Sequence, residues 1–287
     1  MSLTIGLIDY LNTMPFHFDL AERLQNEAVR FERGVPSRMN KGLMSGEIDL
    51  APISAIEAAR NADDLYVLPD LCIASLGAVR TVLLFSWASD ITDLDGHSIA
   101  LTDHSATSVA LLKLLCYERY GINPTYTVTR QHLPTMLAEH QGALVIGDDA
   151  LVEGSIHRAL SGKQGWGLPY IYDLGDEWLK MTGLPFVFAL WAMRREKAEA
   201  LQQAGVFEAL YASTAAGLLP KNRDMLADAY SARLGLPGGV CRRYLRDLRL
   251  RMGDDDKAGL KLFLESALED FQWESLEFWH QPDAMAL

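Results

Sequence analysis

Residues 102–115 read TDHSATSVALLKLL and place Ser105, Ala106, Thr107 and Ser108 directly before an apolar helical run. A helix start leaves backbone N–H groups without acceptors and carries partial positive charge, so hydroxyls gathered there suit an anion. Simple capping needs one hydroxyl, and this stretch offers three within four residues. A carboxylate is the favoured anion, because no Gly-x-x-x-x-Gly-Lys loop is present to cradle a polyphosphate. The helix dipole contributes only about 0.3–2 kcal/mol, so direct hydrogen bonds must supply most of the affinity.

Other polar residues stand where strands should end. Asn12 follows the first strand in DYLNTMP, and its amide can both donate and accept. Ser54 closes IDLAPIS and either caps the next helix or faces a ligand, whereas Ser37 reads as a cap. Asp148 and Asp149 follow ALVIG; one could receive a ligand hydroxyl, or either could cap the helix expected from Ala150. Arg38 and Arg80 could lend positive charge, with surface placement as the bland alternative. His17, His104 and His132 are candidate bases, although a lone histidine is more often structural or solvated. No nucleophile elbow, zinc spacing or dinucleotide fingerprint is present, so covalent, metal or hydride chemistry is not expected, and neither is a cofactor.

The elements that must hold these groups occur twice. Strand-like TIGLIDY (4–10), helical MPFHFDLAERL (14–24), strand VRFERG (29–34), helical PSRMNKGLM (36–44) and strand IDLAPIS (48–54) form one unit. SIALTD (98–103), TSVALLKLLCYERYG (107–121), TYTVTR (125–130), HLPTMLAEH (132–140) and GALVIGDDA (142–150) repeat the plan. Ile5 and Ile48 lie 43 residues apart, Ile99 and Ala143 44, although the units share almost no identity. The pattern predicts an α/β protein of two βαβαβ lobes. VRTVLLFSW (79–87) and LPFVFALWAMR (184–194) supply two joining strands. The remainder reads as a helical C-terminal tail on the first lobe, including GVCRRYLRDLRLRM as a helix, with a structural role. The expected division is 1–84 with 190–287, and 85–189, around a cleft. Ligands in open α/β sheets sit at strand carboxyl ends, which selects residues 9–12, 52–54, Ser86, 103–108 and 147–149.

Composition narrows the partners. The chain has 287 residues, 49% hydrophobic, with a net charge of −12, which argues against nucleic acid and against an anionic membrane surface. An anionic ligand must therefore be held by a local site against an unfavourable overall field. Cys72, Cys116 and Cys241 are odd in number and stand among apolar residues, as reduced core thiols do. No signal-peptide pattern or membrane-length apolar run is seen, so a cytoplasmic protein is expected. No motif reports on the oligomeric state.

Taken together, IDYLNTMPF, GVPSRMNKGLMSGEIDLAPIS, LPDLCIASLGAVRTVLLFS, LTDHSATSVALLKLL, LVIGDDAL and YDLGDEWLKMTGLPFVFALWAMR resemble the chorismate dehydratases of menaquinone biosynthesis by the futalosine pathway. The likeness runs nearly unbroken over residues 5–194. It implies a type II periplasmic-binding-protein-like fold and conversion of chorismate to 3-[(1-carboxyvinyl)oxy]benzoate. A sister enzyme of that pathway carries a Ser-Pro-x-x-Asn-Asp-Thr loop after its first strand, and the stretch from Asp9 to Pro15 here does not match it. The resemblance gives Asn12 a role in orienting the reacting ring or its leaving hydroxyl. Thr107 and Ser108, with neighbouring amides, are expected to hold one carboxylate. Asp148 is a candidate base, and the enolpyruvyl carboxylate of the substrate is the alternative proton acceptor. A non-catalytic binder of a small cyclic carboxylate would use the same cleft.

Overall fold

The computed structural model describes residues 2–24, 29–161 and 167–280. The first lobe runs β1 (Leu3–Ile8), a 3-10 turn (Leu11–His17), α1 (Leu20–Arg23), β2 (Val29–Gly34), α2 (Pro36–Ser45), β3 (Leu50–Ser54), α3 (Ala55–Arg60) and β4 (Leu65–Ser75). The second runs β5 (Val82–Ser86), β6 (Ser98–Thr102), α4 (Ala106–Leu114), β7 (Thr125–Thr129), α5 (Leu133–Glu139), β8 (Gly142–Ile146), α6 (Gly147–Leu160), β9 (Tyr170–Asp173) and α7 (Leu174–Thr182). β10 (Phe186–Arg194) returns to the first sheet. The tail holds α8 (Ala198–Gln203), α9 (Val206–Gly217), α10 (Pro220–Leu234), α11 (Gly238–Asp247), β11 (Leu248–Arg251) and α12 (Asp254–Ala267).

The two sheets share one plan. In the first, of order β11-β4-β10-β3-β1-β2, β1 is parallel to β2 and β3, and β10 lies antiparallel beside β3. In the second, of order β7-β6-β8-β5-β9, β6 is parallel to β7 and β8, and β5 lies antiparallel beside β8. Every residue of β3, β5 and β8 is buried, as expected of strands covered on both faces. Pro36 at the first position and left-handed Gly46 bracket α2, and Pro220 and Gly235 do the same for α10.

The chain changes lobes at residues 76–81 and 183–185, between complete strands of the two sheets. The expected boundaries at 84/85 and 189/190 would cut β5 and β10. Asp173 fastens the first crossing, accepting the Val79 amide at 2.9 Å and the Arg80 amide at 2.7 Å while capping α7.

Two local expectations change. The helix expected over 14–24 becomes the 3-10 turn and the four-residue α1, because Pro15 interrupts the hydrogen-bond ladder and packs on α9. A Cβ on Gly217 of α9 would stand 2.3 Å from the Pro15 carbonyl oxygen, so only glycine allows this approach. The run expected as one helix from Gly239 to Met252 breaks after Asp247, and β11 joins the edge of the first sheet beside β4. Leu248 and Leu250 alternate inward there, a period of two that an apolar count alone does not separate from a helix. Cys72, Cys116 and Cys241 are buried free thiols. Among the described residues no helix is long and apolar enough to cross a membrane.

Candidate active site

The strand ends of both lobes meet around a small cavity. Tyr10, Asn12, Ser54, Thr81, Ser105 and Ser108 supply its polar wall, and Ile53, Val82, Ile146 and Phe188 are part of its apolar wall. No charged side chain is among the described residues that line it. Its volume is about 60 Å³, well below the ~300 Å³ at which ligand clefts begin. A substituted ring does not fit the cavity as it stands. Ser105 also borders an open groove of about 580 Å³ outside the cavity. Lys41 and Lys113 line this groove from opposite lobes, beside Arg60, which pairs with Glu57 at 2.6 Å. Asp103 and Glu57 also line the groove, so its three cations face two carboxylates and leave a small positive excess.

The hydroxyl cluster divides its labour. Ser105 is the N-cap of α4: its Oγ accepts the Ser108 amide at 3.2 Å and donates to Ser108 Oγ at 2.9 Å. Ser108 Oγ–H is left to donate into the cavity, and the first-turn amides of Ala106 and Thr107 have no intrahelical acceptor. Ala106 itself borders the outer groove. Thr107 does not present its oxygen to the cavity. Fully buried, it reaches the first lobe, where its Oγ1 accepts the Ile56 amide at the start of α3 at 3.2 Å. Ser54 is the residue before α3, yet its side chain makes no capping bond. Asn40 clamps it instead, donating to Ser54 Oγ at 3.2 Å and accepting the Ser54 amide at 3.1 Å. The Ser54 hydroxyl proton is thus available to the cavity.

Asn12 lies in the 3-10 turn after β1, with its Oδ1 out of solvent and without a hydrogen-bond partner. A buried acceptor left unmatched costs about 1–3 kcal/mol, and a ligand donor would remove that cost. Thr81 Oγ1 stands 3.0 Å from the hydroxyl of Tyr244, delivered by the tail helix α11. The tail thus backs the cavity wall at Thr81.

Asp148 sits in the first turn of α6, 8% exposed, and its Oδ1 accepts the Leu11 amide across the lobe boundary at 3.0 Å. Burial, partly offset by that hydrogen bond and by Arg233, pushes its carboxyl up to about 6. It faces the 3-10 turn and is not part of the cavity lining, so the position expected of a base holds an interlobe contact. Tyr10 adds another: its hydroxyl lies 3.3 Å from His104 Nδ1, and its ring covers Gly147. Gly147 has φ +71°, and a Cβ there would stand 2.7 Å from the Tyr10 ring. His17 is no base for the cavity. Its ring packs edge-on to Trp191, and burial with the nearby Arg33 charge pushes it down to about 3. His132 pairs with Thr135 at the start of α5.

Two expected binding residues lie elsewhere. Ser86 is 0% exposed and accepts the Ala88 amide at 3.0 Å. The carboxyl-end rule applies to the parallel strands, but β5 runs antiparallel, with Ser86 opposite Gly142 at the amino end of β8. Arg38 pairs with Glu47 at 2.6 Å and Glu32 at 3.3 Å, away from the cavity. Asn40, two residues on and so roughly 200° around the helix, is the α2 side chain that bonds Ser54 on the cavity wall. Arg80 pairs with Asp247 at 2.6 Å. The strand-end rule covers Tyr10 but gives no reason to single it out, and Asn40, Thr81 and Tyr244 carry no local signal.

With the geometry in view, the likenesses of the chain become informative. Compared with known structures, it resembles an alkanesulfonate-binding protein of Xanthomonas axonopodis pv. citri, TM-score 0.63 at 16% identity, covering 91% of this chain and 90% of that one. The two-lobed fold is thus periplasmic-binding-protein-like. A chorismate dehydratase of Thermus thermophilus is 35% identical over 91% of this chain and 94% of its own length. Another, of Campylobacter jejuni, is 32% identical over 68% of this chain and 70% of its own. The model of the family described as menaquinone biosynthesis matches residues 3–269, and the chain belongs to that family.

Proposed function

We propose that this chain is a chorismate dehydratase, a carbon–oxygen lyase that converts chorismate to 3-[(1-carboxyvinyl)oxy]benzoate and water in menaquinone biosynthesis by the futalosine route. The observation that carries the reading is the cavity itself: neutral hydroxyl and amide donors and one unmatched amide oxygen, closed between two lobes. The relative of Thermus thermophilus supports it over nearly the whole chain.

Chorismate offers two carboxylates, an enolpyruvyl ether and a ring hydroxyl. The proton on the ring carbon bearing the ether leaves, its electron pair becomes a ring double bond, and the neighbouring hydroxyl departs with that proton as water. That ring carbon is conjugated to the ring carboxylate, so hydroxyls and amides holding the carboxylate stabilise charge developing there. Ser108 Oγ–H, Ser54 Oγ–H and the Ala106 and Thr107 amides are assigned to carboxylate recognition. Ser105 holds Ser108 in place. Asn12 Oδ1 can only accept, and the ring hydroxyl is the neutral donor of chorismate, so Asn12 is assigned to orienting that leaving group. Neither Asp148 nor His17 lines the cavity. We assign the proton to the enolpyruvyl carboxylate of the substrate, with the protein positioning and stabilising.

Thr107 and Asp148 act one step back. Each accepts a backbone amide of the first lobe from the second, so both hold the two lobes together at the site. Incubating purified protein with chorismate tests the reading: appearance of the aromatic ether with loss of one water is expected. Saturable binding without product would establish the non-catalytic solute binder instead.

A further inference from the structure

Ser54 enters carboxylate recognition as a donor, and the residue that makes it one stands on another element. Ser54 closes β3, 4% exposed, on the cavity wall. Its side chain makes no bond to the first turn of α3, the ordinary use of a serine before a helix. Asn40 of α2, buried and bordering the outer groove, bonds it twice instead. The Ser54 amide donates to Asn40 Oδ1 at 3.1 Å, and Asn40 Nδ2 donates to Ser54 Oγ at 3.2 Å. The first bond fixes the sense of the second. A backbone N–H can only donate, so the side-chain oxygen must face it, and a flipped amide would set N–H₂ against N–H. The N–H₂ end is thereby committed to Ser54 Oγ, and an amide nitrogen cannot accept. The Ser54 proton therefore has no place inside this clamp.

We propose that Asn40 is a positioning residue for substrate binding, holding the Ser54 hydroxyl with its proton toward the cavity so that this wall suits a carboxylate oxygen. This rests on the reading of the cavity as the dehydration site. A serine hydroxyl is otherwise indifferent, and donates or accepts as its rotor turns. The neutral amide at position 40 removes that indifference. Asn40→Asp would keep the backbone bond and reverse the hydroxyl, since a carboxylate accepts both the Ser54 amide and the Ser54 O–H. The serine would then spend its proton on its own neighbour and none on the ligand.

A double-mutant cycle tests this. In the parent enzyme Asn40→Asp is expected to raise the KM for chorismate at least about thirtyfold with kcat within about threefold, because the donor turns away and a negative charge is added. In a Ser54→Ala background only the added charge remains, and the rise is expected to be about tenfold smaller. An unchanged KM in the parent background, or equal rises in both, overturns the proposal, the second because Asn40 would then act independently of the Ser54 hydroxyl. If Asn40→Asp does not fold, Asn40→Ala releases the hydroxyl without adding charge. Its KM is expected to rise about fivefold in the parent and to stay level in the Ser54→Ala background, and the same two outcomes decide. A parent protein that binds chorismate without turnover refutes the dehydratase reading alone, because the cycle read in Kd still decides the role of Asn40. A parent without affinity for chorismate refutes both. An active parent with equal rises refutes only the role of Asn40.

Discussion

The segments that follow β1 and β6 occupy equivalent places in the two lobes, each after the central parallel strand, yet they end in opposite chemistry. After β6 comes a regular helix whose capped first turn presents amide and hydroxyl protons. After β1 comes a 3-10 turn whose Asn12 presents a bare oxygen. One side donates and the other accepts. The repeated architecture brings two strand ends face to face, and local sequence then decides their polarity: Ser-Ala-Thr-Ser favours an N-cap, whereas Leu-Asn-Thr-Met-Pro cannot enter a regular helix. A ring with a carboxylate at one end and a hydroxyl at the other matches that asymmetry.

Breaking the accepting side should do the most damage. Asn12→Ala is expected to reduce kcat at least about 100-fold with a modest change in KM, because the leaving group loses its orientation. Steady-state formation of the aromatic product measures it. Breaking the donating side should appear in KM. Ser108→Ala removes one hydrogen bond to a charged carboxylate, and KM is expected to rise about tenfold or more with kcat less affected. A KM unmoved by Ser108→Ala would shift the carboxylate to Ser54 and the backbone amides.

The interlobe contact of Asp148 gives a smaller, pH-dependent effect. Its carboxyl, raised to about 6 by burial, binds its proton more tightly in the closed fold than in the unfolded chain. Closure is thus least burdened below about pH 4 and loses up to about 3 kcal/mol as pH rises through 6. Asp148→Asn should remove that dependence, so its thermal midpoint relative to the parent should climb between pH 4 and 7. A pH-independent difference would mean that the carboxyl is not buried in solution. Two substitutions sharpen the comparison by their silence: Ser86→Ala and Arg38→Ala are expected to change kcat/KM by less than about twofold. Ser86→Ala should cost about 1 kcal/mol of stability through the lost Ala88 bond.

Much of this was legible in the order of residues. Ser105 is a hydroxyl before an apolar run and becomes the N-cap, and the spacings of 43 and 44 residues correspond to two matching sheets. Ser86 misled because a strand end is informative only with its direction, and β5 owes its antiparallel sense to a partner 60 residues later in the chain. Thr107 and Ser108 are adjacent in sequence, but a helix turns them roughly 100° apart, one to the opposite lobe and one to the cavity. Tyr244 gave no signal, since an aromatic on an amphipathic helix looks like any core residue.

The sequence by itself determined the two α/β units, the segments that cross between them, and the chemical kinds available at the strand ends, because these follow from short-range periodicity, capping and turn chemistry. Only the tertiary structure decided which of those groups share a cavity, which lock the lobes together, and that a tail helix backs the cavity wall. Those outcomes depend on strand direction and on contacts more than 100 residues apart, such as Leu11 with Asp148 and Thr81 with Tyr244. No local pattern encodes them, because the energy that selects them is the packing of whole lobes.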